Sequence, residues 1–259
     1  DYAMAGSDRP APGIPASSWG SVVVVPSGDL RAVEVALNRD SDIAGLILEP
    51  TGAHYGQLPF DTPNYLKGLR ALTVQHRVVL IFDEVVTGFR VSPGGAQVRY
   101  GVTPDLTTMA KIVAGGVPGG AVAGKAEIVD MLAQRGDPEW DNRRRVYHPG
   151  TFNANPLSAV AGATCLEIIA SQPINQQADA MAHRLKTGLN EIFARMEVSG
   201  HAHGIASMIH LVLADCDCDR EICNMSHADI KRAAASPGVT ALKRGLLNRG
   251  VDIMGRDAF

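Results

Sequence analysis

Val78-Val79-Leu80-Ile81-Phe82-Asp83-Glu84 decides the fold: five apolar residues in succession, then two carboxylates. The run reads as a strand buried on both faces, as in a parallel sheet. Upstream, Pro63 stands at the first position of a helix capped by Asp61 or Thr62, with Leu66, Leu69 and Thr73 in line. Before it lies an apolar strand, Ile43 to Leu48, ending in Glu49-Pro50. A helix capped by Asp29 precedes that strand and runs to about Asn38, with Leu30, Val33 and Leu37 on one face. Ser21-Val22-Val23-Val24-Val25, stopped by Pro26, predicts one more buried strand. Strand, helix, strand, helix, strand at this spacing predicts an α/β fold, a mostly parallel sheet with helices on both faces. Ligands of such sheets lie beyond the carboxyl ends of the strands, where Glu49 and Asp83 stand.

Downstream, Leu106 to Ala110 leads into Lys111 and a glycine-rich loop, Gly115-Gly116-Val117-Pro118-Gly119-Gly120. A short strand is expected at Ala121 to Ala123 and a helix from about Ala126 to Gln134. Residues 136–150 are polar, a long amphipathic helix is expected from Leu157 to about Ser171, and 172–178 reads as a linker. The division is thus a large domain over 1–173 and a smaller, incomplete α+β domain over 174–259. The 259 residues carry 24 Lys and Arg against 27 Asp and Glu, a formal charge of −3 that offers no bulk attraction to nucleic acid or an anionic membrane. Apolar runs fall far short of the ~20 residues of a spanning helix, and no secretory leader is visible, so the expected location is cytoplasmic. Four cysteines are too few for a disulfide scaffold. The chain opens Asp1-Tyr2-Ala3-Met4 and stops at Phe259 just after Val251-Asp252-Ile253-Met254, ends expected of a piece of a longer protein.

Lys111 is the odd residue. Of six lysines, five sit where the ammonium reaches water, whereas Lys111 lies between Thr108-Met109-Ala110 and Ile112-Val113-Ala114. Desolvation disfavours a charged lysine, and chains tolerate that where a neutral amine is needed to condense with a carbonyl. The alternative is a side chain that snorkels from a strand end into solvent. Asp83, closing a buried strand, needs a cation or several donors, and a pyridinium nitrogen is one such cation. Pyridoxal phosphate asks for a lysine, an acid for its ring nitrogen and donors for its phosphate. Gly150-Thr151 ahead of a helix offers the last of these.

With those residues in place, a family resemblance emerges. Val79-Leu80-Ile81-Phe82-Asp83-Glu84-Val85-Val86-Thr87-Gly88-Phe89-Arg90, then Pro104-Asp105-Leu106, then Lys111 and its glycine loop, resembles the class III pyridoxal-phosphate aminotransferases. Asp1-Tyr2-Ala3-Met4, Ile47-Leu48-Glu49-Pro50 and Gly150-Thr151-Phe152-Asn153-Ala154-Asn155-Pro156-Leu157 are similar to the glutamate-1-semialdehyde 2,1-aminomutase branch. The resemblance implies a pyridoxal-phosphate transferase of fold type I, with Lys111 as Schiff-base lysine and proton carrier and Asp83 on the ring nitrogen. It further implies Val85 against a ring face, Glu49 as a supporting carboxylate, and Gly150 and Thr151 at the phosphate across a homodimer interface. His54 stands where the branch tends to carry an asparagine near the ring hydroxyl, and Ala110 replaces the usual glycine before the lysine. A further phosphate loop and the ring-stacking aromatic belong upstream of residue 1, so the chain alone is expected to hold only part of the pocket. Implied partners are a small amino acid or amine and a keto or aldehyde substrate, with no nucleic acid and no membrane. Transfer between two molecules ranks ahead of transfer within one.

Other readings compete. Val78 to Glu84 also resembles a Walker B strand, and Gly119-Gly120-Ala121-Val122-Ala123-Gly124-Lys125 fits phosphate-loop spacing. Ala126 lacks the hydroxyl that would hold Mg²⁺, and the order of the two motifs is reversed. Cys216, Cys218, Cys223 and His227 form a soft ligand set, but one Cys-x-Cys with a single further Cys matches no common zinc spacing, and no metal is expected. Arg143-Arg144-Arg145 reads as an anion receptor or a solvated loop, and His148 as a cofactor neighbour or a structural residue. His201, His203 and His210 carry no interpretable pattern. A fold kept only as a binding module would be expected to have lost Lys111 or Asp83, and both are present.

Overall fold

The computed structural model describes residues 14–52, 62–216, 223 and 225–253. After a single turn, α1 (Ala16–Trp19), the helix α2 (Leu30–Arg39) begins where Asp29 accepts the Ala32 amide at 2.9 Å and buries Val33 and Leu37. β1 (Gly45–Leu48) follows, then α3 (Thr62–His76), on which Leu66, Leu69 and Thr73 are fully buried. β2 (Val79–Asp83) pairs in parallel with β1, Leu48 lying opposite Phe82. A short helix, α4 (Gly95–Tyr100), leads to β3 (Leu106–Ala110), again parallel, with Asp83 opposite Thr108. β4 (Gly120–Gly124) closes the order β1-β2-β3-β4 antiparallel to β3. Leu80 and Phe82 join Val33, Leu37, Leu66 and Leu69 in the core beneath α2 and α3.

Two expectations fail here. Ser21 lies in a turn and residues 22–25 form no strand among the described residues, and Val23 is 59% exposed. An apolar run becomes a strand only when a neighbouring edge takes its amides and carbonyls. Gly119 to Lys125 is no phosphate loop either. Gly120–Gly124 is a strand, and Lys125 is tied to Asp105 at 2.9 Å. The nucleotide-hydrolase reading fails with it.

The chain continues through α5 (Ala126–Val129), tightened into a 3₁₀ turn at Asp130–Leu132 and so shorter than expected, and a π turn at Trp140–Arg144. α6 (Pro156–Ser171) has the expected bounds but not the expected amphipathicity. It is apolar on all sides, with Leu157 78% and Val160 67% exposed. The expected linker shrinks to Gln172 and Pro173, because α7 (Ile174–Arg195) starts at once, and the two helices meet at 78°. β5 (His201–His203) and β6 (His210–Val212) form an antiparallel pair packed on α7, and α8 (His227–Ala234) and α9 (Pro237–Leu247) complete the unit. Asn175 ties the start of α7 to the Phe89 and Arg90 carbonyls, each at 2.9 Å. Among the described residues, no single helix is long and apolar enough to cross a membrane.

Candidate active site

Strand alternation sends Leu80 and Phe82 into the core under α2 and α3, and Asp83 to the other face of the sheet. There Asp83 Oδ1 accepts the Val85 amide at 3.1 Å and the Thr108 hydroxyl at 3.4 Å. Both bonds land on one oxygen, so Oδ2 has no donor among the described residues. The carboxylate is thereby oriented by its own strand and the next, with one oxygen left for a cation. Glu49 sits one strand away at the same level, its Oε1 accepting the Thr51 amide at 2.9 Å and hydroxyl at 2.7 Å. The structure therefore brings Asp83, Val85 and Glu49 to the carboxyl edge of the parallel strands. His54 lies outside the described residues.

Lys111 follows Thr108 by three residues, at most ~10 Å of extended chain. Its φ of 53° is left-handed, a conformation rare outside glycine and concentrated at functional turns. It opens a 3₁₀ turn, Lys111–Ala114, which ends at Gly115 with φ 62°. This turn is pressed against α6. A Cβ on Gly115 would overlap the Ala161 carbonyl, and one on Gly162 would overlap the Val113 carbonyl, so the two glycines interlock turn and helix. Alanine at Gly162 would gain about 1 kcal/mol in helix propensity, yet the overlap should cost more. We expect Gly162→Ala to lower urea stability by about 1–2 kcal/mol, and unchanged or increased stability would contradict the interlock.

The desolvation expected of Lys111 is not found, since its side chain is exposed. Ile112 and Val113 are themselves only half-buried, so an apolar neighbourhood in sequence does not make a cover in space. Among the described residues, no hydrogen bond or ion pair engages the Lys111 amine. Gly150 and Thr151 also differ from expectation, because they precede the helix by a full turn and are exposed. Asn155 caps α6 instead, its Oδ1 taking the Leu157 and Ser158 amides at 3.0 and 3.3 Å. A phosphate at Thr151 would thus meet a hydroxyl and turn amides rather than that helix end. Arg143 pairs with Glu139 at 3.6 Å in solvent, and His148 is exposed.

Sequence reasoning missed two carboxylates that hold the frame. Glu84 is buried and receives the Ala96 amide at 2.6 Å, the Thr87 hydroxyl at 3.2 Å and the Gln97 amide nitrogen at 3.3 Å. Gly95, at φ 69°, is needed because a Cβ there would overlap that carboxylate. Asp105 accepts the Leu80 amide at 2.8 Å and pairs with Arg70 and Lys125, each at 2.9 Å. Burial alone would raise the Asp105 carboxyl, but Lys125, the Leu80 amide and Arg70 outweigh it and hold it below the usual carboxylate range. A Pro-Asp pair before a strand was the available signal for Asp105. A cavity of about 780 Å³ opens beside Glu84, bounded by Arg70, Phe89, Thr103, Met109 and Lys125, and touches neither Asp83 nor Lys111. Its basic groups, Arg70 and Lys125, are paired with Asp105, and Glu84 is held by Thr87, Ala96 and Gln97.

A mainly parallel sheet with an acid closing one strand and a lysine turn closing the next defines an α/β cofactor-domain scaffold. The chain belongs to the class-III aminotransferase family, whose model matches residues 25–247. It is 38% identical over 206 residues to glutamate-1-semialdehyde 2,1-aminomutase 2 of Brevibacillus brevis, covering 79% of this chain and 46% of that protein. The glutamate-1-semialdehyde 2,1-aminomutase of Methanococcoides burtonii is also 38% identical, over 78% of this chain and 46% of its own length. Among solved structures, an omega-transaminase from Sphaerobacter thermophilus superposes with a TM-score of 0.80 at 32% identity, covering 96% of this chain and 54% of that one. A glutamate-1-semialdehyde aminomutase from Pseudomonas aeruginosa PAO1, at 23% identity and a TM-score of 0.77, shares the fold; the match covers 96% of this chain and 55% of that one. The chain spans about half the length of the relatives it matches. The expected fold class, fold type I, is the one observed.

Proposed function

We propose that this chain carries the reacting lysine and the ring-nitrogen acid of a pyridoxal 5'-phosphate-dependent amino-group transfer between small amino and keto or aldehyde compounds. The observation that carries the reading is the pairing of an uncommitted amine on a left-handed turn with a carboxylate held by one oxygen on the adjacent strand. The donor set fits the cofactor: among the described residues, Asp83 Oδ2 receives no donor and no partner engages the Lys111 amine. When bound, the cofactor's protonated ring withdraws electrons from the substrate carbon that loses its proton. Asp83 fixes positive charge at the ring nitrogen, and Val85, anchored to it, offers an apolar contact. Lys111 Nζ supplies the nucleophile and then carries the proton. Thr151 supplies a hydroxyl to the phosphate, and Glu49 a second carboxylate at the edge. The exposure of Thr151 supports a homodimer in which that loop faces the partner's site. The break at Gln172 and Pro173 supports units over 1–173 and 174–259.

Full-length protein incubated with a panel of amino donors should convert the aldehyde-form absorbance to the amine form and yield the matching keto product. The curated relatives favour a second reading, transfer within one molecule. Isomerisation of glutamate 1-semialdehyde without keto product from any donor would select it, and neither activity would overturn both. Asp83→Asn keeps an acceptor for Val85 and Thr108 but removes the charge. Turnover should fall by roughly a hundredfold or more while Tm moves little; unchanged turnover would remove Asp83 from the site.

A further inference from the structure

A second cluster of chemistry-bearing residues lies in the C-terminal unit. Pairing of β5 with β6 sets His201 opposite Val212, and the chain leaving β6 brings Cys216 against the His201 ring. Cys223 is buried beside Val212, Ile230 and Ala233, with Cys216 packed against the same group. One ligand atom each from His201, Cys216 and Cys223 lies within 4.8 Å of the others. Cys216 Sγ is 3.4 Å from His201 Nδ1 and 3.6 Å from Nε2. A tetrahedral Zn²⁺, with Zn–S of about 2.3 Å and Zn–N of about 2.0 Å, sets neighbouring sulfur and nitrogen ligands roughly 3.5 Å apart with the metal on a nitrogen lone pair. The Cys216 sulfur, nearly equidistant from both ring nitrogens, lies beside the ring, so the His201 imidazole must turn to present one nitrogen to the cation. Cys216 is disulfide-bonded in this structure, so the three ligands become available together in the reduced chain. Of the set read from sequence, Cys216 and Cys223 are in this cluster and Cys218 lies outside the described residues; His201, fifteen residues before Cys216, was not in that set.

We propose that the reduced chain binds one soft divalent cation, Zn²⁺, through His201, Cys216 and Cys223, with the fourth position open to water. The Cys216 sulfur serves either the disulfide or the cation. A dithiol reductant gives two electrons and two protons to the Cys216 disulfide, closing to a disulfide itself and leaving two thiols. Cation uptake then releases the thiol protons of Cys216 and Cys223 to solvent.

Full-length protein, reduced with a phosphine and freed of it, is titrated with Co²⁺ as a spectroscopic stand-in. One equivalent should produce a thiolate-to-cobalt charge-transfer band that Zn²⁺ abolishes. His201→Gln and Cys216→Ser should lose the band, and Cys165→Ser, on α6, should keep it. Cys223→Ala, which keeps a small apolar side chain in that buried position, should weaken the band, and Zn²⁺ should protect Cys216, but not Cys165, from alkylation mapped by peptide mass. No band in the reduced protein, an undiminished band in His201→Gln, Cys216→Ser or Cys223→Ala or before reduction, or alkylation of Cys216 indifferent to Zn²⁺ would each overturn the proposal. None of these readouts involves amino transfer, so the outcome is independent of that reading.

Discussion

Full-length protein carrying Lys111→Ala should lose roughly a thousandfold or more in turnover and should fix no cofactor under borohydride. Two further lysines are committed elsewhere. Lys125 holds Asp105 at 2.9 Å, and Lys186 donates to the Gly204 carbonyl at 2.8 Å. Lys111 alone among these three combines an uncommitted amine, a left-handed backbone and a position one strand from Asp83. The substitution touches no core residue, so Tm of the unloaded protein should change little and the loss can be assigned to chemistry. Borohydride fixation at a different lysine in the variant would defeat the assignment.

The largest stability effect is expected at Asp105. Its carboxylate joins three elements: the Leu80 amide of β2, Arg70 of α3, and Lys125 just past β4. Asp105→Ala would leave the Leu80 amide without its acceptor and Arg70 without its counter-charge. With the Asp105 side chain 6% exposed and Lys125 54% exposed, Lys125 recovers hydration while the amide does not. The expected cost is about 3 kcal/mol in urea unfolding. Asp105→Asn should cost about half as much, because its carbonyl oxygen still accepts the amide. The folded-state proton affinity of Asp105 is depressed, so its contribution is full above the unfolded carboxyl pKa of about 3.9 and fades as pH falls through the lower folded value. Wild type and Asp105→Asn should therefore converge in stability in that acid window, and a constant gap down to pH 2 would refute the ion-pair account.

What sequence made legible follows from the range of the forces involved. α2 and α3 were readable because Asp29, Pro63 and the spacing of Val33, Leu37, Leu66 and Leu69 act within a few residues. Asp83 was readable because an acid closing an apolar run is conspicuous. Val22 to Val25 misled because a strand exists only with a neighbour, which a one-dimensional pattern does not supply. Lys111 misled for the same reason, since what covers a side chain comes from elsewhere in space. The Asp105 partners Leu80 and Arg70 lie far away in the chain, and the meeting of His201 with Cys216 depends on the β5–β6 pairing. Gly150-Thr151 was placed by proximity to a helix whose cap turned out to be Asn155.

The paired glycines behind the lysine turn bear on any attempt to redesign this scaffold. Because each backbone occupies the space where the other's side chain would grow, positions 115 and 162 form a lock with no tolerance for added bulk. Mutant libraries that aim to broaden substrate range should hold both fixed and diversify the strand ends around Glu49 and Val85. Randomising the lock would consume most clones in loosened lysines rather than new specificities.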